Sequence, residues 1–130
     1  MEMRSEVDWS IKTLISISAL VLLFHILVVA GALPADIAWG GRVVSEREVL
    51  LLEAVSICVN AFLIWTLLQK GRYVRAMFGD RVVRAILWGF FALFLLNSVG
   101  NLFAETSFEK SLAFVTLLNV LLIWRINGKA

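Results

Sequence analysis

The stretch from Thr13 to Ala35, TLISISALVLLFHILVVAGALPA, decides the fold class because it contains no Asp, Glu, Lys or Arg. A helix needs roughly 20 mostly apolar residues to cross the hydrocarbon core of a bilayer, and this stretch is long enough. Three further apolar stretches follow, which predicts transmembrane spans at approximately 11–33, 48–69, 83–104 and 108–125. Residues 1–130 are therefore predicted to form a single transmembrane domain, an all-α polytopic membrane protein built as an antiparallel four-transmembrane-helix bundle.

The composition supports a membrane protein and excludes several other classes. Hydrophobic residues make up 61% of the 130 residues and charged residues 17%, whereas soluble domains are about 45–50% apolar and about 25% charged. The formal net charge of +2 is too small for a nucleic-acid-binding domain, and a single cysteine cannot form a disulfide scaffold. The lipid bilayer is the expected partner of this surface, and no nucleic acid is expected.

The distribution of basic residues predicts the orientation of the helices. Nine of the twelve Lys and Arg residues lie in the N-terminal tail, the loop at 69–84 or the C-terminal tail, and the others are Arg42, Arg47 and Lys110. Because cytoplasmic segments of membrane proteins are enriched in Lys and Arg, both termini and the middle loop are predicted to be cytoplasmic. The expected location is the cell membrane, which the chain crosses several times.

Four local signals predict where the helices begin and end. Pro34 lies just beyond the first apolar stretch and is expected to help stop that helix. Gly71 lies where the end of the second helix commonly requires a left-handed residue, and Asp80 is expected to cap the third helix. The sequence at 45–48, Ser-Glu-Arg-Glu, fits a capping box at the start of the second helix.

Polar residues within the apolar stretches are the candidate binding residues, because an ionisable group in a span is costly and usually functional. Seven of them are predicted to converge on a polar cavity that opens outward: Glu53, His25, Asn60, Asn97, Asn101, Asn119 and, from the outer loop, Arg42. The inner half of the bundle is expected to be almost purely apolar and aromatic, with Phe90, Phe91 and Phe94 among its residues.

Each of these candidates also has a simpler structural interpretation. The asparagines could serve only as hydrogen-bonding contacts that hold the helices together. Glu53 could form a structural ion pair with Arg42 or Arg47 at the interface. The imidazole of His25 could hydrogen-bond Asn97 or Glu53 without contacting any ligand.

Two pairs of similar segments raise the hypothesis of an internal repeat between the two halves of the chain. The segment 60–65, NAFLIW, in the second span matches the segment 119–124, NVLLIW, in the fourth. The segments 30–36 and 99–105 are similar at the ends of the first and third spans. The pattern fits two duplicated helical hairpins, and it equally fits chance similarity between leucine-rich helices.

The sequence lacks the common motifs for phosphate binding, metal binding and catalysis, which makes an enzymatic function less favoured. There is no phosphate-binding glycine loop, no His/Cys/Asp cluster with metal spacing and no Ser/His/Asp set, so we predict no cofactor, no metal and no catalytic residues. We favour a non-enzymatic protein that binds or transports a small polar solute or ion. Because four helices are few for a transport path, a homo-oligomer is expected. The alternatives are a structural or accessory membrane subunit, and an intramembrane enzyme acting on a lipid or isoprenoid with Glu53 and His25 as acid and base.

Two segments carry a resemblance to known proteins. The sequence WGGR at 39–42, and GNLFA at 100–104 together with FEK at 108–110, resemble segments of a family of small uncharacterised four-helix prokaryotic integral membrane proteins. The resemblance covers about a fifth of the chain. It implies a four-helix membrane architecture and no particular activity, since that family has none to transfer.

Overall fold

The structure is a computed structural model that describes residues 2–32, 46–103 and 107–128. Its helices are α1 (Glu2–Val29), α2 (Glu46–Lys70), α3 (Asp80–Leu102) and α4 (Ser107–Gly128). The described residues contain helices and turns and no strand. Side chains are described from residue 8 onward within these ranges, except at 46, 108 and 109. The outer-loop candidate Arg42 and the capping serine Ser45 lie outside the described residues.

All four helices are long and apolar enough to cross a membrane. The qualifying segments are Asp8–Val29, Arg47–Lys70, Asp80–Leu102 and Lys110–Gly128. Large apolar side chains on the outside of the bundle are highly exposed within the chain, for example Leu96 at 71% and Phe114 at 75%. Such a surface is compatible with lipid and not with water. The prediction of an all-α, four-helix transmembrane bundle is confirmed.

The helices pack as two hairpins that close into a ring. The most extensive contacts join α3 to α4 and α1 to α2, and smaller contacts join α1 to α4 and α2 to α3. Every helix contributes a fully or nearly fully buried side chain to one apolar cluster, including Leu14, Leu63, Leu87 and Ile123. Because lipid is as apolar as leucine, close packing rather than hydrophobic burial holds such residues together.

The first helix ends earlier than the sequence predicted, at Val29 rather than near residue 33. Gly31 takes the left-handed conformation with φ of 83°. The amide N–H of Ala32 donates to the carbonyl of Leu27 at 2.9 Å, which is the hydrogen bond of a Schellman motif. The glycine therefore terminates the helix before Pro34 is reached.

The second helix ends with a different residue from the one predicted. Arg72, with φ of 61°, occupies the left-handed position, and the amide N–H of Tyr73 donates to the carbonyl of Leu68 at 2.9 Å. The prediction that Gly71 takes this position was wrong. A Cβ atom at Gly71 would clash with the ring of Tyr73, so a larger residue at this position requires the exposed tyrosine ring to move.

The third helix begins without the predicted aspartate cap. Gly79 is the N-cap residue and no side chain caps it, while Asp80 is already the first helical residue. The loop before the helix is instead hydrogen-bonded to the side chain of Gln69 of α2. Its Oε1 accepts hydrogen bonds from the amide N–H groups of Met77 at 2.8 Å and Phe78 at 3.0 Å.

Candidate functional site

A histidine and a glutamate meet between α1 and α2. Nδ1 of His25 lies 2.5 Å from Oε2 of Glu53. His25 is one turn before the end of α1, and Glu53 is less than two turns from Arg47, where the apolar part of α2 begins. The close packing of α1 on α2 brings the two side chains together at the end of the bundle that the sequence predicts to face outward.

Both side chains of the His25–Glu53 pair are largely buried. The Glu53 side chain is fully buried, whereas the His25 side chain keeps 12% of its exposure. A carboxyl group in such a place is costly unless it is paired and hydrogen-bonded. His25 supplies a partner, and its partial exposure makes the imidazole the more accessible member of the pair.

The chemistry available to the pair is proton exchange. Imidazole is the side chain whose charge ordinarily changes near neutral pH, and a protonated Nδ1 donates directly to a carboxylate oxygen. The same geometry serves an imidazolium with a carboxylate or a neutral imidazole with a carboxylic acid. The pair can therefore hold one proton between two groups.

Two of the alternative partners proposed for these residues are described by the structure. Arg47 is exposed at the start of α2, and Asn97 is exposed on α3. Of the interactions weighed from the sequence, the structure displays the hydrogen bond of His25 with Glu53. Sequence alone could not choose among them because each partner lies on a different helix or loop.

The asparagine candidates are distributed over separate parts of the bundle. Asn60 is half-buried, and its Nδ2 donates to the carbonyl of Ser56 in its own helix at 2.8 Å. Asn97 is exposed and Asn101 is half-buried on α3. Asn119 is buried on α4, and its Oδ1 has no hydrogen-bond partner in the part of the chain that is described.

A polar contact that the sequence analysis missed joins α3 to α4. The hydroxyl oxygens of Ser98 and Thr116 lie 2.8 Å apart, and Ser98 is buried. The neighbouring Asn97 is the residue predicted from the sequence, but α3 turns that side chain outward and Ser98 inward. The spacing of the buried residues on α3, which includes Phe94 four positions earlier, could have indicated this face.

The inner half of the bundle is less apolar than predicted. Phe90 and Phe94 are buried and stacked with ring centroids 6.0 Å apart, as expected, but buried polar residues lie there too. Thr66 donates to the carbonyl of Phe62 in its own helix at 2.8 Å, and Nδ2 of Asn127 donates to the carbonyl of Arg84 at 3.0 Å. The backbone supplies partners that a reading of side chains alone does not reveal.

The donor sets within the described residues do not resemble a metal centre. No group of three or more His, Cys, Asp or Glu side chains is close enough to hold a metal ion in that part of the chain. Cys58 is an exposed free thiol.

Comparisons with known proteins find no match for this chain, whether to a protein family, a curated protein or a solved structure. The four-helix architecture agrees with the resemblance carried by the segments at 39–42 and 100–104. None of these comparisons supports membership of that family.

Proposed function

We propose that this chain lies in the cell membrane with both termini in the cytoplasm and binds and passes a small polar solute or ion. The route begins in an outward-facing polar cavity at the His25–Glu53 pair. The observation that carries the proposal is the fully buried Glu53 carboxyl group, hydrogen-bonded to His25 within the apolar spans.

The α3–α4 hairpin supports a functional interpretation of Glu53. There, Ser98 and Thr116 join two helices with hydroxyl groups alone. Hydroxyl groups are much cheaper to bury than a carboxylate, because no charge has to leave water. A bundle that needed only a contact between α1 and α2 could use the same solution. The presence of an ionisable pair therefore favours a role in binding.

The proton is the ion that the pair is best suited to take. Both members are titratable, the distance between them suits a shared proton, and the partly exposed His25 gives access to the buried Glu53. A proton needs no preformed cage of ligands and no wide path. A polar solute or a metal cation would have to displace one member of the pair from the other.

The test measures proton movement in purified, reconstituted protein. Proteoliposomes containing the fluorescent pH indicator pyranine receive a pH gradient, with potassium and valinomycin present to dissipate the membrane potential. The parent is compared with Glu53→Gln, which keeps the shape and removes the titratable carboxyl group. Glu48→Gln is the matched control, since Glu48 is an exposed carboxylate on the same helix.

We expect the parent and Glu48→Gln to dissipate the gradient and Glu53→Gln to fail, with thermal stability in detergent unchanged. Equal rates for all three proteins and empty liposomes would contradict proton passage. The same preparations would then be tested with Na⁺, K⁺ and ammonium, by flux and by ligand-induced thermal stabilisation. A parent that responds to none of these ions would leave the binding proposal without support.

A structural or accessory subunit is the second candidate. The observation that favours it is that the His25–Glu53 hydrogen bond bridges α1 and α2, which are also tightly packed. On this proposal Glu53→Gln lowers thermal stability and changes no flux. An oligomer is proposed in both cases, and light scattering of the detergent-solubilised protein measures it.

A further inference from the structure

Ser18 of α1 is buried without satisfying its hydroxyl group. It keeps 1% of its exposure, and its Oγ has no hydrogen-bond partner in the described residues. Serine and threonine in a helix usually donate to the carbonyl four residues earlier. In this chain Thr13 does so to Trp9 and Ser16 does so to Lys12, both at 2.9 Å. Ser18 makes no such hydrogen bond to the carbonyl of Leu14.

Asn119 of α4 is in the same condition. It keeps 3% of its exposure, and its carbonyl oxygen Oδ1 has no partner among the described residues. A buried amide oxygen of this kind almost always has a hydrogen bond to protein or to ordered water. The described residues contain four buried side-chain atoms without a hydrogen-bond partner, and the other two are Nε2 of Gln69 and Oδ1 of Asn127. Ser18 and Asn119 lie on α1 and α4, two helices that pack together.

Contacts between neighbouring helices place Asn119 and Asn60 at similar depths. Nδ2 of Asn127 on α4 donates to the carbonyl of Arg84 on α3, and the rings of Phe90 on α3 and Phe62 on α2 lie 6.2 Å apart. Because neighbouring helices are antiparallel, Asn119, eight residues before Asn127, lies level with residue 92 of α3, and so does Asn60, two residues before Phe62.

Counting residues from the His25–Glu53 pair along α1 and α2 shows that Ser18 and Asn60 lie at the same depth. Ser18 lies seven residues before His25 on α1, and Asn60 lies seven residues after Glu53 on the antiparallel α2. At ~1.5 Å of rise per residue, this level is roughly 10 Å further into the bundle than the His25–Glu53 pair. Polar residues from three helices therefore share this level.

We propose that the bundle holds an internal water site between Ser18 and Asn119, about two helical turns further into the bundle than the His25–Glu53 pair. A buried water molecule typically makes about two to four hydrogen bonds to polar groups that would otherwise be unsatisfied. A water here donates one hydrogen bond to Oδ1 of Asn119 and exchanges another with the hydroxyl group of Ser18. Both orphaned groups are then satisfied by the same ligand.

The site extends the polar part of the bundle toward the middle of the membrane. A water molecule can accept and donate protons, but roughly 10 Å separates this level from the pair. The water site is therefore a later point on the route of a proton that enters at His25, and further water molecules have to connect the two. This second part rests on the proposed function. The existence of the water site does not.

The test is water-edited solid-state NMR of the unaltered chain in liposomes, with asparagine and serine isotopically labelled. Magnetisation is transferred from mobile or bound water to the protein, and its arrival is timed at assigned sites. We expect early arrival at the Asn119 amide and at Ser18 Cβ, close to that at the exposed Ser107, which precedes the apolar segment of α4. Arrival as late as at the buried methyl groups of Leu14 would overturn the water site.

Two variants then separate the water site from the proposed function. Asn119→Leu should lose the early transfer at Ser18, whereas the matched control Asn97→Leu, on the exposed face of α3, should keep it. Retained early transfer in Asn119→Leu would overturn a shared water. If the parent passes protons, Asn119→Leu should lose proton flux, and unchanged flux would overturn the water's place on the route. Early transfer in a parent that passes no protons supports the water site and contradicts the proposed function alone.

Discussion

The hydroxyl oxygens of Ser98 and Thr116 lie 2.8 Å apart where α3 packs on α4. In the other hairpin, His25 and Glu53 make the corresponding cross-link between α1 and α2. Both tightly packed hairpins are thus joined by a pair of polar side chains, but one pair is ionisable and the other is not. This difference predicts different responses to substitution in the two hairpins.

In the first hairpin, a single leucine substitution in the pair should cost much more than the double leucine substitution, whereas Glu53→Gln keeps a polar side chain that can hydrogen-bond His25. His25→Leu removes the imidazole that hydrogen-bonds the buried Glu53 carboxyl group, and breaking a buried pair in this way costs about 3–5 kcal/mol. The double variant His25→Leu with Glu53→Leu removes both polar groups and should unfold close to the parent. Thermal unfolding of the four proteins in detergent completes the cycle. Additive losses in the double variant would show that the residues do not stabilise one another.

In the second hairpin, Ser98→Ala should cost little. Thr116 keeps its hydrogen bonds to the carbonyl oxygens of Leu112 at 3.0 Å and Ala113 at 3.2 Å, so no group is left unsatisfied. We expect a loss of about 0.6 kcal/mol, the average for hydrogen bonds between membrane helices. Chemical unfolding in detergent measures the difference. Ser111→Ala, an exposed serine on α4 that bonds only within its helix, is the control and should unfold like the parent.

Gln69→Leu should loosen the loop between α2 and α3. Leucine removes the oxygen that accepts the amide N–H groups of Met77 and Phe78, whereas Gln69→Glu keeps an acceptor in the same place. Trypsin cleaves after Arg72 and Arg75 once the loop can enter the protease. We therefore expect faster cleavage of Gln69→Leu than of the parent or Gln69→Glu in detergent. Equal cleavage rates would mean that Gln69 does not hold the loop.

Arg72→Gly should stabilise the protein. Arg72 is the residue with φ of 61° at the end of α2, and the left-handed conformation costs a residue with a side chain roughly 1–2 kcal/mol. Glycine removes this cost, but its more flexible unfolded state lowers the free energy of unfolding by about 0.5–1 kcal/mol. The net gain should be a rise in the unfolding temperature, measured by differential scanning fluorimetry in detergent. Arg75→Gly, which lies in the same loop without a positive φ, should give no rise.

The predicted orientation is tested by cysteine labelling of intact cells. In a Cys58→Ala background, Lys110→Cys should react with a membrane-impermeant maleimide from outside. Arg75→Cys should react only after the membrane is permeabilised. Both positions carry exposed side chains, so accessibility reports the side of the membrane. The reverse pattern would place both termini outside and turn the proposed cavity toward the cytoplasm.

The sequence was sufficient to predict the helices, because in lipid a chain must satisfy its backbone hydrogen bonds within each spanning segment. Four apolar stretches then leave a four-helix bundle as the simplest arrangement. Glu53 and His25 could also be selected, since an ionisable group in a span is rare whatever surrounds it. These conclusions depend on local composition and on the solvent, and they require no knowledge of how the helices pack.

The tertiary structure decided which residues are hydrogen-bond partners and which face of each helix points into the bundle. Glu53 had several possible partners in the sequence, and only the packing of α1 on α2 brings His25 within 2.5 Å of it. The rotation of α3 turns Asn97 outward and Ser98 inward. At the end of α2 the left-handed residue is Arg72 rather than Gly71. Each of these depends on the depth and rotation of one helix against another. A rotation of a single residue position, about 100° of a helical turn, exchanges the side chain that faces the bundle for one that faces lipid.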